Sequence, residues 1–201
     1  MGWLNRLESD CARSIDIVSR GLSGYNTKWY LKYAMPVIHD EITSGNYKPS
    51  LVTIWLGAND AALPDGSMSE QHVPIAAYQN NLAKLVQIFK AIAPDAGILL
   101  VTPPHVDDEV QKTSAKTEEG PRKDPRKSER NEMLVDGLHL NKAGNREMYH
   151  QLRDKISSDF PELSLKLERW QLPRFEDWVE SDPWTPEEST TLDFTNVRVR
   201  G

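Results

Sequence analysis

The chain has 201 residues, a net charge of −6 and 38% hydrophobic residues, enough for one α/β or α+β domain and too little for two. A single cysteine excludes an internal disulfide or a Cys-based metal knuckle, and the acidic balance argues against nucleic acid as a partner. No window approaches eighteen unbroken apolar residues, and Arg6, Glu8, Asp10 and Arg13 interrupt the first twenty, so the expectation is a cytoplasmic chain with no membrane span or export signal.

Leu4, Leu7 and Cys11 at helical spacing predict a helix over 2–14, and the β-branched run Ile15, Ile17, Val18 predicts a strand over 15–19 ending at Arg20-Gly21. Thr27 suits the cap of a following helix whose apolar face holds Trp29, Tyr30, Tyr33, Val37 and Ile38, with Pro36 as a kink or early stop. Residues 51–56 are nearly continuously apolar, as in a strand buried on both faces of a parallel sheet. From Pro74 to Ala93 the residues Ile75, Tyr78, Leu82, Leu85, Phe89 and Ile92 keep a period near 3.6. A buried strand follows over 97–101. Strand and helix in alternation imply right-handed crossovers, a parallel sheet and helices on both of its faces.

Residues 107–132 carry dense mixed charge with almost no apolar side chain, which reads as a solvated loop. A last helix is expected from Ala143 to about Ser158, burying Met148, Leu152 and Ile156. The domain then covers 1–160, and 161–201 forms an acidic, Pro-rich tail with Trp170, Phe175, Trp178 and Trp184. That tail is either a strap on the body or a partner contact, such as a homodimer surface.

In open parallel sheets ligands gather beyond the carboxyl ends of the strands, which directs attention to Arg20 to Thr27, to Gly57-Ala58-Asn59-Asp60, to Pro103-Pro104-His105 and, further along, to Asp136-Gly137-Leu138-His139. Asp136 can orient the His139 ring and leave its other nitrogen as a base, although Asp-x-x-His also arises by chance. Gly24 lets a backbone N–H approach a ligand, and Asn59 offers a side-chain amide, a pair suited to a developing oxyanion. A metal site from His105, His139 and Asp136 has the right ligand types, but the spacing fits no common pattern.

Ser23-Gly24-Tyr25-Asn26-Thr27, Gly57-Ala58-Asn59-Asp60 and Asp136-Gly137-Leu138-His139-Leu140, in that order, resemble the blocks of SGNH hydrolases, the GDSL esterase/lipase family. The wording is most similar to the isoamyl acetate-hydrolysing branch, including Gln71-His72-Val73-Pro74. The likeness runs from about Trp3 to Pro161 with a gap. The resemblance implies a three-layer α/β/α flavodoxin-like fold and hydrolysis of small, acetate-type carboxylic esters through a serine acyl-enzyme, without metal or other cofactor. It further implies Gly24 and Asn59 as oxyanion donors, His139 as general base and acid, Asp136 as its orienter, and Arg20, Asn26 and Thr27 as residues that line or brace the pocket.

One departure matters. The family's serine stands in a Gly-Asp-Ser block after a first strand, and no such block occurs here; Glu8-Ser9-Asp10 has neither the strand nor the glycine, and Ser23 and Ser67 lie in the wrong blocks. The expectation is an incomplete sheet, lacking that first strand and one later helix–strand unit. The chain then has little activity, or serves as a non-catalytic binding or regulatory product.

Overall fold

A computed structural model describes residues 2–104 and 131–171. Helix α1 (Trp3–Asp10) is followed by an irregular stretch, a short helix α2 (Thr27–Trp29), a π-helical turn (Tyr30–Ala34) and α3 (Met35–Thr43). Then come β1 (Leu51–Ile54), a 3-10 turn (Ser69–Gln71), α4 (Ile75–Ile92), β2 (Gly97–Leu100), a second 3-10 turn (Asn131–Met133), α5 (Lys142–Asp159) and α6 (Pro161–Leu167). Among the described residues no helix is long and apolar enough to cross a membrane.

β1 and β2 pair in parallel, Leu51 opposite Gly97 through Ile54 opposite Leu100. Side chains alternate across a strand, and the two faces bury against different helices. Val52, Ile54 and Ile98 join α3 and α4 through Ile38, Ile42, Leu85 and Phe89. Leu51 and Leu99 face α1, α5 and α6 through Leu7, Leu152, Ile156 and Leu163. This is the expected α/β arrangement with helices on both faces of a parallel sheet, incomplete in that only two strands pair among the described residues.

Several expectations need correction. Residues 15–19 form no strand, because among the described residues no neighbouring backbone pairs with them. The cap ahead of α2 is Asn26, whose carboxamide oxygen accepts from Trp29 N–H at 2.8 Å, while Thr27 is the first helical residue. Pro36, which cannot donate a backbone N–H, sits in the first turn of α3 directly after the π-helical turn, so the helix changes its bonding pattern there instead of stopping. The body also continues past residue 160. Pro161 opens α6, and its Leu163 and Leu167 are buried against α1 and α5.

Gly97 admits this packing, since a Cβ there would strike the Phe160 ring. Beyond α6, the guanidinium of Arg13 lies 4.6 Å over the Trp170 ring, and Gln171 N–H donates to Arg13 C=O at 2.7 Å. That strap reading therefore applies to Trp170. Phe175, Trp178 and Trp184, like His105 and most of the 107–132 loop, lie outside the described residues.

Candidate active site

Two polar clusters occupy the segments singled out by sequence. The first is buried. Asn26 and Thr27 have no exposed surface, and Asp60 is 3% exposed. The Thr27 backbone N–H donates to both Asp60 carboxylate oxygens at 3.0 and 3.1 Å, and the Thr27 hydroxyl bonds the same carboxylate. Asn81, from α4, donates to the Thr27 hydroxyl oxygen at 2.9 Å, which leaves that hydroxyl's own proton for Asp60. The Asn26 amide donates to Gln71 C=O at 2.8 Å, and Val73 N–H to Asp60 C=O at 3.0 Å. The carboxylate itself holds Thr27, and the loop at 71–73 is tied to the same cluster through Asn26 and the Asp60 backbone carbonyl.

On this base stands the turn at Gly24, whose φ of +76° lies in the left-handed region that a side chain would strain. The Gln71 amide donates to Gly24 C=O at 3.2 Å, and the Asn59 amide donates to Tyr25 C=O at 2.9 Å. Gly24 and Asn59, far apart in sequence, are thus neighbours. Gly57 makes room behind them. A Cβ there would collide with the Tyr78 hydroxyl, which donates to Leu56 C=O at 3.1 Å.

The second cluster is exposed. Asp136 Oδ2 lies 2.7 Å from His139 Nδ1, and Oδ1 accepts from His139 N–H at 2.8 Å and from Leu138 N–H at 3.1 Å. Burial by itself would raise the Asp136 carboxyl, but the hydrogen bonds from His139 and Leu138 outweigh it and hold it below the ordinary carboxylate value. The carboxylate thus assigns the ring proton to Nδ1 and leaves Nε2 as an acceptor. The turn is clamped by Val135 N–H donating to His139 C=O at 2.7 Å and by Asn141, which caps α5 through Ala143 and Gly144 and also donates to Glu132 C=O at 2.5 Å. Asn145 joins it to α1 by accepting from Trp3 N–H at 3.0 Å.

The sequence profile of the GDSL-like lipase/acylhydrolase family matches residues 1–124. The chain belongs to that family. It is 30% identical to a GDSL esterase/lipase of Arabidopsis thaliana over 191 residues, covering 79% of each chain. It is 40% identical over 108 residues to another GDSL esterase/lipase of that plant, and 40% identical over 105 residues to the human isoamyl acetate-hydrolyzing esterase 1 homolog. These two matches take in 53% and 51% of this chain, and the chain spans 43% and 40% of the two relatives.

Set against this family, the expected site residues fall into three groups. Gly24 and Asn59 come together through Tyr25, and Asp136 and His139 through their own turn. Among the described residues no hydrogen bond joins the two pairs, and no serine hydroxyl bonds to His139. Asn26 and Thr27 brace the Gly24 turn from below and present no surface to a ligand. Arg20 is held by Glu41 in a two-point ion pair at 2.6 and 3.1 Å, with the Tyr47 hydroxyl donating to the same carboxylate at 3.2 Å. The hydrogen bonds from Arg20 lower the Glu41 carboxyl, and Glu41 in turn raises Arg20.

Asp60 and Gln71 stood in sequence blocks with no role assigned to them and Asn81 in none, yet they carry the buried cluster. Asn81 did leave a signal. It falls on the α4 stripe with Tyr78, Leu82 and Leu85, where a polar side chain needs a partner.

Proposed function

We propose that the chain acts on small, acetate-type carboxylic esters, with His139 as general base, Asp136 as its orienter, and Gly24 and Asn59 as donors to the oxyanion. The observation that carries this reading is the 2.7 Å bond between Asp136 and His139 Nδ1, which leaves Nε2 in solvent as a base. Tyr25 C=O engages one N–H of the Asn59 amide and so orients the other. Near the left-handed Gly24 turn, that second N–H is suited to the charge that develops when an ester carbonyl becomes tetrahedral.

In this reading the attacking oxygen is water. His139 takes one proton as the oxygen bonds to the carbonyl carbon, the oxyanion forms between Gly24 and Asn59, and on collapse that proton passes to the departing alkoxide while the carboxylic acid separates and gives its own proton to solvent. Machinery of this kind without an attacking serine retains at most about 10³- to 10⁴-fold over water. The absence of a serine bonded to His139 among the described residues also favours a second reading, an ester-binding product without turnover.

The test is hydrolysis of isoamyl acetate and p-nitrophenyl acetate by the 201-residue chain and its His139→Ala variant, together with fluorophosphonate labelling. Slow turnover lost in the variant, without stoichiometric labelling, supports the water route. Stoichiometric labelling of a serine replaces water by that serine. Saturable ester binding in calorimetry without turnover selects the second reading, and turnover indifferent to His139 removes the role given to the Asp136–His139 pair.

A further inference from the structure

Residues 60–73 form a loop that leaves the body beside Asn59 and returns through Gln71. Its neck is closed twice: Val73 N–H donates to Asp60 C=O at 3.0 Å, and His72 Nδ1 lies 2.6 Å from Ala62 C=O. Gln71 is fixed through its main chain, its N–H donating to Met68 C=O at 3.0 Å and its C=O accepting from the Asn26 amide at 2.8 Å. The loop is thus secured without the Gln71 side chain. That carboxamide reaches across to a different turn.

There, Leu22 C=O accepts from Tyr25 N–H at 3.3 Å, and Gly24 with its positive φ stands third in the four-residue turn, as type II requires. The Gly24–Tyr25 peptide is therefore held at two ends. Leu22 holds its N–H, and the Gln71 amide holds its C=O at 3.2 Å. The next carbonyl, that of Tyr25, anchors the Asn59 amide at 2.9 Å. Two carboxamides, from the two ends of one loop, thus bond successive carbonyls. Among the described residues the Gly24 N–H has no partner. A rotation of the Gly24–Tyr25 peptide would disturb that N–H and displace the anchor of Asn59 together, so both donors depend on the plane of one peptide.

We infer that Gln71 is a positioning residue for ester hydrolysis: its carboxamide fixes that plane and so aims the Gly24 N–H and the Asn59 amide at one carbonyl oxygen. This rests on the oxyanion role proposed above for Gly24 and Asn59. A single neutral hydrogen bond adds little to the stability of a fold, whereas donors preorganised toward a developing charge carry much of the stabilisation of a tetrahedral intermediate. The Gln71 side chain therefore matters more to a tetrahedral anion than to the fold or to a planar, uncharged carbonyl.

The experiment compares the full chain with Gln71→Met, which keeps the side-chain length and every main-chain bond but cannot donate, and with Asn59→Ala. Calorimetry measures two probes, isoamyl methylphosphonate as the tetrahedral anion and N-isoamylacetamide as the planar neutral carbonyl. Gln71→Met should weaken the phosphonate at least about tenfold and the acetamide less than about threefold. Asn59→Ala should weaken the phosphonate about 10²-fold. In isotopically labelled Gln71→Met the Gly24 carbonyl carbon resonance should move upfield as its donor is lost. The positioning role alone is overturned by equal weakening of both probes, by an unmoved Gly24 resonance, or by phosphonate binding that survives Gln71→Met and not Asn59→Ala. A Gln71→Met chain that fails to fold also overturns it, because the side chain would then be carrying the fold. A parent that does not bind the phosphonate, or an Asn59→Ala variant that binds it as the parent does, overturns the oxyanion reading and the positioning role with it.

Discussion

Asp60 and Asp136 organise the two polar clusters, and they do so from opposite environments. Asp60 is 3% exposed and spends its carboxylate on the backbone and hydroxyl of Thr27. Asp136 has a 39% exposed side chain and divides its oxygens between two backbone N–H groups and an imidazole that is itself 74% exposed. A buried carboxylate with every partner inside the fold can set geometry but cannot meet a substrate. An exposed one that bonds a titratable ring can alter what that ring offers to solvent. The difference assigns Asp60 to holding the Gly24 turn and Asp136 to directing His139.

The contrast breaks most visibly at Asp60. In Asp60→Ala the Thr27 N–H and hydroxyl lose their acceptor inside the fold, at about 1–3 kcal/mol for each group. Urea unfolding should show a loss of about 3–5 kcal/mol. Asn26→Ala removes a helix cap and the donor to Gln71 C=O, and should cost about 2 kcal/mol. A loss below about 0.5 kcal/mol at either position would mean that the buried cluster does not hold the loops together.

Asp136→Asn should do the reverse. Its stability should stay within about 1 kcal/mol of the parent, since the asparagine oxygen still accepts from the turn's backbone. Any His139-dependent ester hydrolysis should fall about 10²- to 10⁴-fold, because a carboxamide no longer selects the productive tautomer. If activity and stability fell together, Asp136 would belong with Asp60 as a structural carboxylate.

Much of this division was legible in the residues. The 3.6 period of α4 and the apolar runs of β1 and β2 placed the principal elements, because each buries a face whose pattern is local. The Asp-Gly-Leu-His spacing likewise marked a pair that closes within one turn, with Gly137 at a φ of +88° making the bend. The strand expected at 15–19 failed for the opposite reason: being a strand depends on a neighbour, and local composition does not report whether one is there. Asp60 was hidden in the same way. Its partner Thr27, and Asn81 behind it, come from other elements, so Asp60 stood in the Gly57–Asp60 block without a role of its own. α6 was obscured by Pro161, which suits a first helical turn as well as it suits a tail.

The smallest expected effect is a pH dependence carried by Asp136. The hydrogen bonds from His139 and Leu138 hold the folded Asp136 carboxyl below its ordinary value, against the opposing effect of burial. A depressed carboxyl stabilises the fold fully above its unfolded pKa of about 3.9 and loses that contribution as pH falls through the lower, folded value. The difference in urea midpoint between parent and Asp136→Asn should therefore be flat from neutrality to about pH 4 and shrink below it. The His139 Nδ1–H resonance should weaken over the same acid range in the parent, as protonation of Asp136 removes its acceptor. A midpoint difference that instead grew as pH fell below 4 would require the folded carboxyl to be raised, and would mean that burial outweighs the turn's hydrogen bonds at this site.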